Sequence, residues 1–202
     1  MSWSLGETAA LALKATRGVG FSWGLAEEAA GAVTWLHERG LPGAAALCSY
    51  LGAVAEGSVI GTAGETSCPL LTGSALSDGT IASPAATGRT LDLGRIRSPL
   101  LLLPFVASLP PGTLWLEAGG IGKESKWPSD SWQSQWLRGD AVCQIVMGKT
   151  PQIDPAGTHQ MRTPDPFGCC IERLTHFAHR TYAPATSASR LSGAGAGLTD
   201  ND

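Results

Sequence analysis

The chain has 202 residues, 43% hydrophobic and 15% charged, with a formal net charge of −3. That length suffices for a core without a disulfide or metal staple, and the slight acidity gives no support to nucleic-acid binding. No apolar run reaches the roughly 18 residues of a membrane span; the longest, PLLLLPFVASL at 99–109, is interrupted by Pro104.

The N-terminal MSWSLGETAAL has no basic region ahead of an apolar one, so no signal peptide is expected. Five irregularly spaced cysteines, at 48, 68, 143, 169 and 170, fit reduced thiols and a cytoplasmic location better than a disulfide framework. Abundant glycine and proline (26 and 13) predict many turns.

Ser4 and Glu7 form a capping box that starts a first helix, with Leu5, Ala9, Ala12, Leu13 and Thr16 on one face. Gly18 and Gly20 end it. Ser22 caps a second helix with the stripe Leu25, Ala29, Ala32, Val33 and Leu36, and Gly40 is its natural stop. Pro42 suits the first turn of a third helix, with Ala44, Leu47, Cys48, Leu51 and Val54 inward. Through 57–98 the periodicity is mixed, and only RTLDLGRI (89–96) alternates as a strand does.

The leucine run at 99–109 fits a buried strand or a buried helix by periodicity, and Pro99 at a first turn favours the helix. TLWLEA (113–118) and AVCQIVMG (141–148) read as strands. Between them lie Trp127, Trp132 and Trp136, read as plugging the edge of the core, with ligand stacking or a subunit interface as the minority alternative. The segment 163–184 predicts a helix with Asp165 as N-cap and Pro166 at its first position. Its inward face is Phe167, Cys170, Ile171, Leu174, Phe177 and Ala178; its polar face is Cys169, Glu172, Arg173, His176 and Arg180. Pro184 ends it. The expected architecture is α+β: a three-helix unit over 1–56, then a 57–202 region with a small mixed or antiparallel sheet, a C-terminal helix and an ordered Gly-rich tail. The two regions are read as one continuous domain.

Chemistry concentrates in SRLSGAGAGLTDND, residues 189–202. Gly193, Gly195 and Gly197 can turn successive backbone N–H groups toward an anion. Ser189 and Arg190 stand beside them, Arg190 as a planar fork for carboxylate or phosphate. Asp200, Asp202 and the terminal carboxylate add groups for proton transfer or for a cation. The plain alternative is a low-complexity tail.

Cys68 is the candidate nucleophile among the thiols. It precedes Pro69, so its backbone is extended, and its base would have to come from elsewhere in the chain. His176 and His179 are spaced i, i+3, and their place near a helix C-terminus explains them without a metal. No metal site is expected. Cys169-Cys170 is no C-x-x-C, no G-x-G-x-x-G follows a strand, and no Walker loop is present, so no cofactor is expected either.

Four stretches, 4–41, CPLLTGSALSDG (68–79), PLLLLPFV (99–106) and RTYAPATSASRLSGAGAGLTDND (180–202), together resemble a bacterial family known only as domain of unknown function 3726. The resemblance implies a soluble bacterial protein and brings no catalytic residues. The first helical stretch is also similar to the N-terminal helices of malate/L-lactate dehydrogenases with a non-Rossmann NAD fold. Those enzymes follow their second helix with Ser-His-Gly, whose histidine is catalytic; the matching place here, RGLPGAAAL, has none.

Two functions follow. In the first, the chain binds a small anionic metabolite under the C-terminal segment, with Asp200, Asp202 and Cys68 as catalytic groups if it is an enzyme. In the second, it is a non-catalytic partner or homo-oligomer whose tail docks at an interface. A dehydrogenase relation is a remote third.

Overall fold

The computed structural model describes residues 2–57, 66–82, 84, 88, 90–109, 114–118, 139–147, 163–164 and 168–181. The architecture is α+β and mostly helical. A two-residue strand β1 (Ser2–Trp3) precedes three helices, α1 (Leu5–Gly18), α2 (Trp23–Glu38) and α3 (Gly43–Ala55). Next come α4 (Pro69–Ser77), β2 (Leu91–Arg97), a 3-10 turn (Pro99–Leu102) and α5 (Leu103–Ser108). Strands β3 (Leu114–Ala118), β4 (Asp140–Met147) and β5 (Thr163–Pro164) and helix α6 (Gly168–His179) complete the described elements.

The predicted capping chemistry is present. The Ser4 hydroxyl accepts the Glu7 N–H at 3.2 Å, and the Glu7 carboxylate accepts the Ser4 N–H at 2.8 Å. Ser22 caps α2 through the Leu25 N–H. Gly40 follows α2 with φ +71°, a conformation that costs a side-chain-bearing residue energy.

The buried arc of α1 is turned from the expected one. It consists of Thr8, Leu11, Ala12, Ala15 and Thr16, while Leu5, Ala9 and Leu13 are half-buried. The cause is tertiary: α1 is covered by α2 and also by α6. The two threonines bury cheaply because their hydroxyls donate one turn back, Thr8 to the Ser4 carbonyl at 2.9 Å and Thr16 to the Ala12 carbonyl at 2.8 Å.

Helix α4 was not anticipated. Its cap is a cysteine rather than one of the usual hydroxyl or carboxylate residues. Leu70 and Leu76 are buried while Leu71 faces out, so no clean stripe marks it. Its Gly73 leaves room for the Phe105 ring: a Cβ there would lie 2.3 Å from a ring carbon.

The larger sheet is antiparallel with strand order β2-β4-β3. Ile96 pairs with Ala141, Ala118 with Cys143 and Leu116 with Ile145, and all six are buried on one face. The register slips between Asp92 and Gly94, a bulge in which the Gly94 N–H donates to the Asp92 carboxylate at 2.8 Å. A second, unexpected ladder joins β1 to β5.

The sheet's buried face joins Leu36, Leu47, Leu51, Leu70, Leu100–Leu102 and Leu174 in one core. Each fully buried leucine contributes roughly 2 kcal/mol. Helix α6 closes this core with Cys170, Leu174, Phe177 and Ala178, as its pattern predicts. Its Arg173 reaches across α3 to the Glu56 carboxylate at 2.6 Å. Among the described residues no helix is long and apolar enough to cross a membrane.

Candidate functional site

The described residues that carry chemistry gather where Thr66–Cys68 enters α4. Ser67 runs beside β2 in a parallel bridge to Ile96: its N–H donates to the Arg95 carbonyl at 2.7 Å, and its carbonyl accepts the Arg97 N–H at 3.4 Å. Cys68 then takes an extended backbone (φ −73°, ψ 121°), as a residue before proline must, and Pro69 opens the helix. The Cys68 sulfur accepts the Leu71 N–H at 3.4 Å. A half-buried thiol therefore sits at the positive end of a helix dipole.

Tyr50, buried on α3, lies beside this thiol. Burial, and secondarily the neighbouring Cys68, push its ionisation well above the usual phenol range. Tyr50 thus remains a neutral hydroxyl. Its ring is 6.1 Å from that of Phe21, in the turn between α1 and α2.

On the sheet side, Arg97 donates through Nη1 to Asp140 Oδ1 at 3.0 Å, and the Thr66 hydroxyl lies 3.4 Å from Asp140 Oδ2. The Arg97 Nε is buried and has no hydrogen-bond partner. The next residue, Ser98, is fully buried with φ +49°, and its N–H donates to the Gly139 carbonyl at 3.1 Å. A left-handed non-glycine residue marks stored backbone strain. One strand-to-helix junction thus joins a thiol and a phenol on one side to a guanidinium and a carboxylate on the other.

Of the residues singled out from sequence, Cys68 is at this junction. Ser189, Arg190, Gly193, Gly195, Gly197, Asp200 and Asp202 lie outside the described residues, as do Trp127, Trp132, Trp136, Asp165 and Pro166. His176 and His179 are exposed on α6. Among the described residues no three His, Cys, Asp or Glu side chains gather as a metal site would require. Cys143 is buried beneath the sheet, and burial pushes its thiol up to about 12, so it is inert at neutral pH.

Sequence reasoning missed Tyr50, Arg97 and Asp140. Tyr50 reads as one more apolar residue on α3, and Arg97 and Asp140 meet only through strand pairing. The sole local signal was Ser-Cys-Pro, an extended residue followed by a helix-opening proline.

Residues 3–89 match the model of a family described as "Protein of unknown function (DUF3726)". The chain is similar to that family over α1–α4, a span that contains Tyr50 and Cys68 and stops short of Arg97 and Asp140. No curated protein and no solved structure matches the chain. Where the dehydrogenases of the second resemblance carry a catalytic histidine, this chain turns from α2 into α3. The nearby His37 is buried, and its Nε2 accepts the Ala44 N–H at 2.9 Å.

Proposed function

We propose that the chain binds a small anionic metabolite at the junction around Cys68, beneath residues 189–202. The observation that carries this reading is Arg97, whose backbone N–H is bonded to Ser67 just ahead of the α4 N-terminus and whose buried Nε has no partner. Helix N-termini and guanidinium edges both favour carboxylate or phosphate oxygens. Arg190 and the backbone of Gly193, Gly195 and Gly197, beside Ser189, complete the cradle. A catalytic role would add Cys68 as nucleophile and Asp200 or Asp202 as proton carrier. The root of the C-terminal segment supports the arrangement. Helix α6 lies against Gly18 at Phe177, Arg17 of the same turn of α1 donates to the Phe21 carbonyl, and Phe21 neighbours Tyr50.

Calorimetric titration with inorganic phosphate and with a panel of small di- and tricarboxylates tests this. At least one anion is expected to bind, and Arg190→Ala to weaken it about tenfold. Absence of binding across the panel, or identical isotherms for the wild type and Arg190→Ala, overturns the reading.

The second reading, a non-catalytic subunit whose tail docks on another copy, is favoured by the exposure of Trp23 and Leu71. Sedimentation of the full chain separates the two: a strict monomer at all concentrations counts against it.

A further inference from the structure

Ser67 is bonded to β2 on either side of Ile96: it donates to the Arg95 carbonyl and accepts the Arg97 N–H. Between these two contacts the strand alternates. Ile96 turns into the core, while Arg95 and Arg97 stand on the opposite face, where their cross-strand partners are Val142 and Asp140. Residues two apart on one face of a strand are separated by about 7 Å. Two guanidinium groups are thus neighbours on the outer face of the sheet, beside the segment that leads into α4.

The two are held differently. Arg97 is fixed: its Nη1 donates to Asp140 Oδ1 at 3.0 Å, and the Thr66 hydroxyl lies 3.4 Å from the other oxygen of that carboxylate. With Nη1 engaged, the edge left on this guanidinium is Nε with Nη2, and Nε is the buried atom without a partner. That edge has the planar two-donor shape that a carboxylate fits. Arg95 is exposed and has no ion-pair partner among the described residues. The acid nearest to it along the strand, Asp92, is engaged in the bulge, where its carboxylate accepts the Gly94 N–H at 2.8 Å. Opposite Arg95, Val142 is exposed. The face therefore offers an oriented fork, a second cation one strand repeat away and an apolar surface beside them.

We propose that Arg95 and Arg97 together bind a small dicarboxylate, one carboxylate on each guanidinium, with the aliphatic chain between them lying over Val142. This rests on the anion-binding reading above and names its ligand class. A phosphate carries its oxygens on a single atom and meets one arginine at this spacing. Two carboxylates on a short chain meet both, and the second contact is made at high effective concentration once the first has formed.

The test is calorimetric titration of the full-length protein with glutarate, acetate and inorganic phosphate. Glutarate is expected to bind about tenfold more tightly than either of the others. Arg95→Gln is expected to remove that difference, and Val142→Asp to weaken glutarate about tenfold. Arg180→Gln, which removes an exposed cation on α6, leaves the isotherms as in the wild type. Far-UV circular dichroism checks that each variant is folded. Glutarate binding no tighter than acetate or phosphate, or equal glutarate isotherms for the wild type and Arg95→Gln, overturns the two-arginine site; an anion that still binds in an Arg190-dependent way then leaves the broader reading standing. Glutarate binding that needs Arg95 but not Arg190 supports the two-arginine site and overturns the C-terminal cradle alone.

Discussion

Gly18 and the Phe177 carbonyl set how closely α6 can lie on α1: a Cβ at position 18 would stand 1.8 Å from that oxygen. The obstructing atom is backbone, so neither helix can yield by a side-chain rotation. Gly18→Ala is therefore expected to push α6 outward and to destabilise the fold by about 1–3 kcal/mol. Gly52 is the internal control. There a Cβ would meet the Arg173 guanidinium at 2.6 Å, the far end of a flexible and exposed side chain. Gly52→Ala should cost little beyond the exposed Arg173–Glu56 pair. Urea denaturation of the two variants is the check, and equal losses would contradict the contrast.

His37 predicts an acid limb of stability. Burial holds its imidazole down to about 4, against about 6.5 when exposed, and the neutral ring accepts the Ala44 N–H at 2.9 Å near the start of α3. The unfolded chain binds the proton more readily, so this contribution is complete above about pH 6.5 and is lost as pH falls toward about 4. The shift corresponds to about 3 kcal/mol over that window. His37→Gln keeps an acceptor without a titrating group, so its stability should vary less with pH between these limits than that of the wild type. Parallel pH slopes in chemical denaturation would exclude His37 as the cause.

Ser98 lends itself to a paired substitution. Both Ser98→Ala and Ser98→Gly lose the hydroxyl, but only glycine is at ease at φ +49°. The glycine variant is expected to be more stable than the alanine variant by about 1 kcal/mol. Ser98→Val, β-branched in a left-handed conformation, should be the least stable of the three, as thermal denaturation would show.

The Tyr50 hydroxyl is buried against the Cys68 thiol. Tyr50→Phe preserves the ring contact with Phe21 and removes the hydroxyl beside the thiol, at an expected loss of about 1 kcal/mol. An unchanged midpoint in denaturant would mean that the hydroxyl adds nothing to stability.

The helices with hydroxyl caps were legible because their signals are local. Ser4, Glu7 and Ser22 act on backbone groups three residues away, the strand over 91–97 follows an alternating pattern, and those over 114–118 and 140–147 follow β-branched or aromatic composition between turn residues. The inward face of α6 was legible for the same reason, as a single stripe at helical spacing.

Tertiary structure decided the rest. The rotation of α1 came from a helix that begins far along the chain, and no sequence window contains both partners. Helix α4 exists with a sulfur cap because its leucines are received by the core and Gly73 admits the Phe105 ring. The junction itself joins Thr66 to Asp140 across 74 residues and Arg97 to Asp140 across 43. Cys68 could be singled out from sequence because the proline after it sets its backbone. Its partner Tyr50, and the guanidinium and carboxylate beyond, were hidden because strand register and helix packing create that neighbourhood only once the chain has folded.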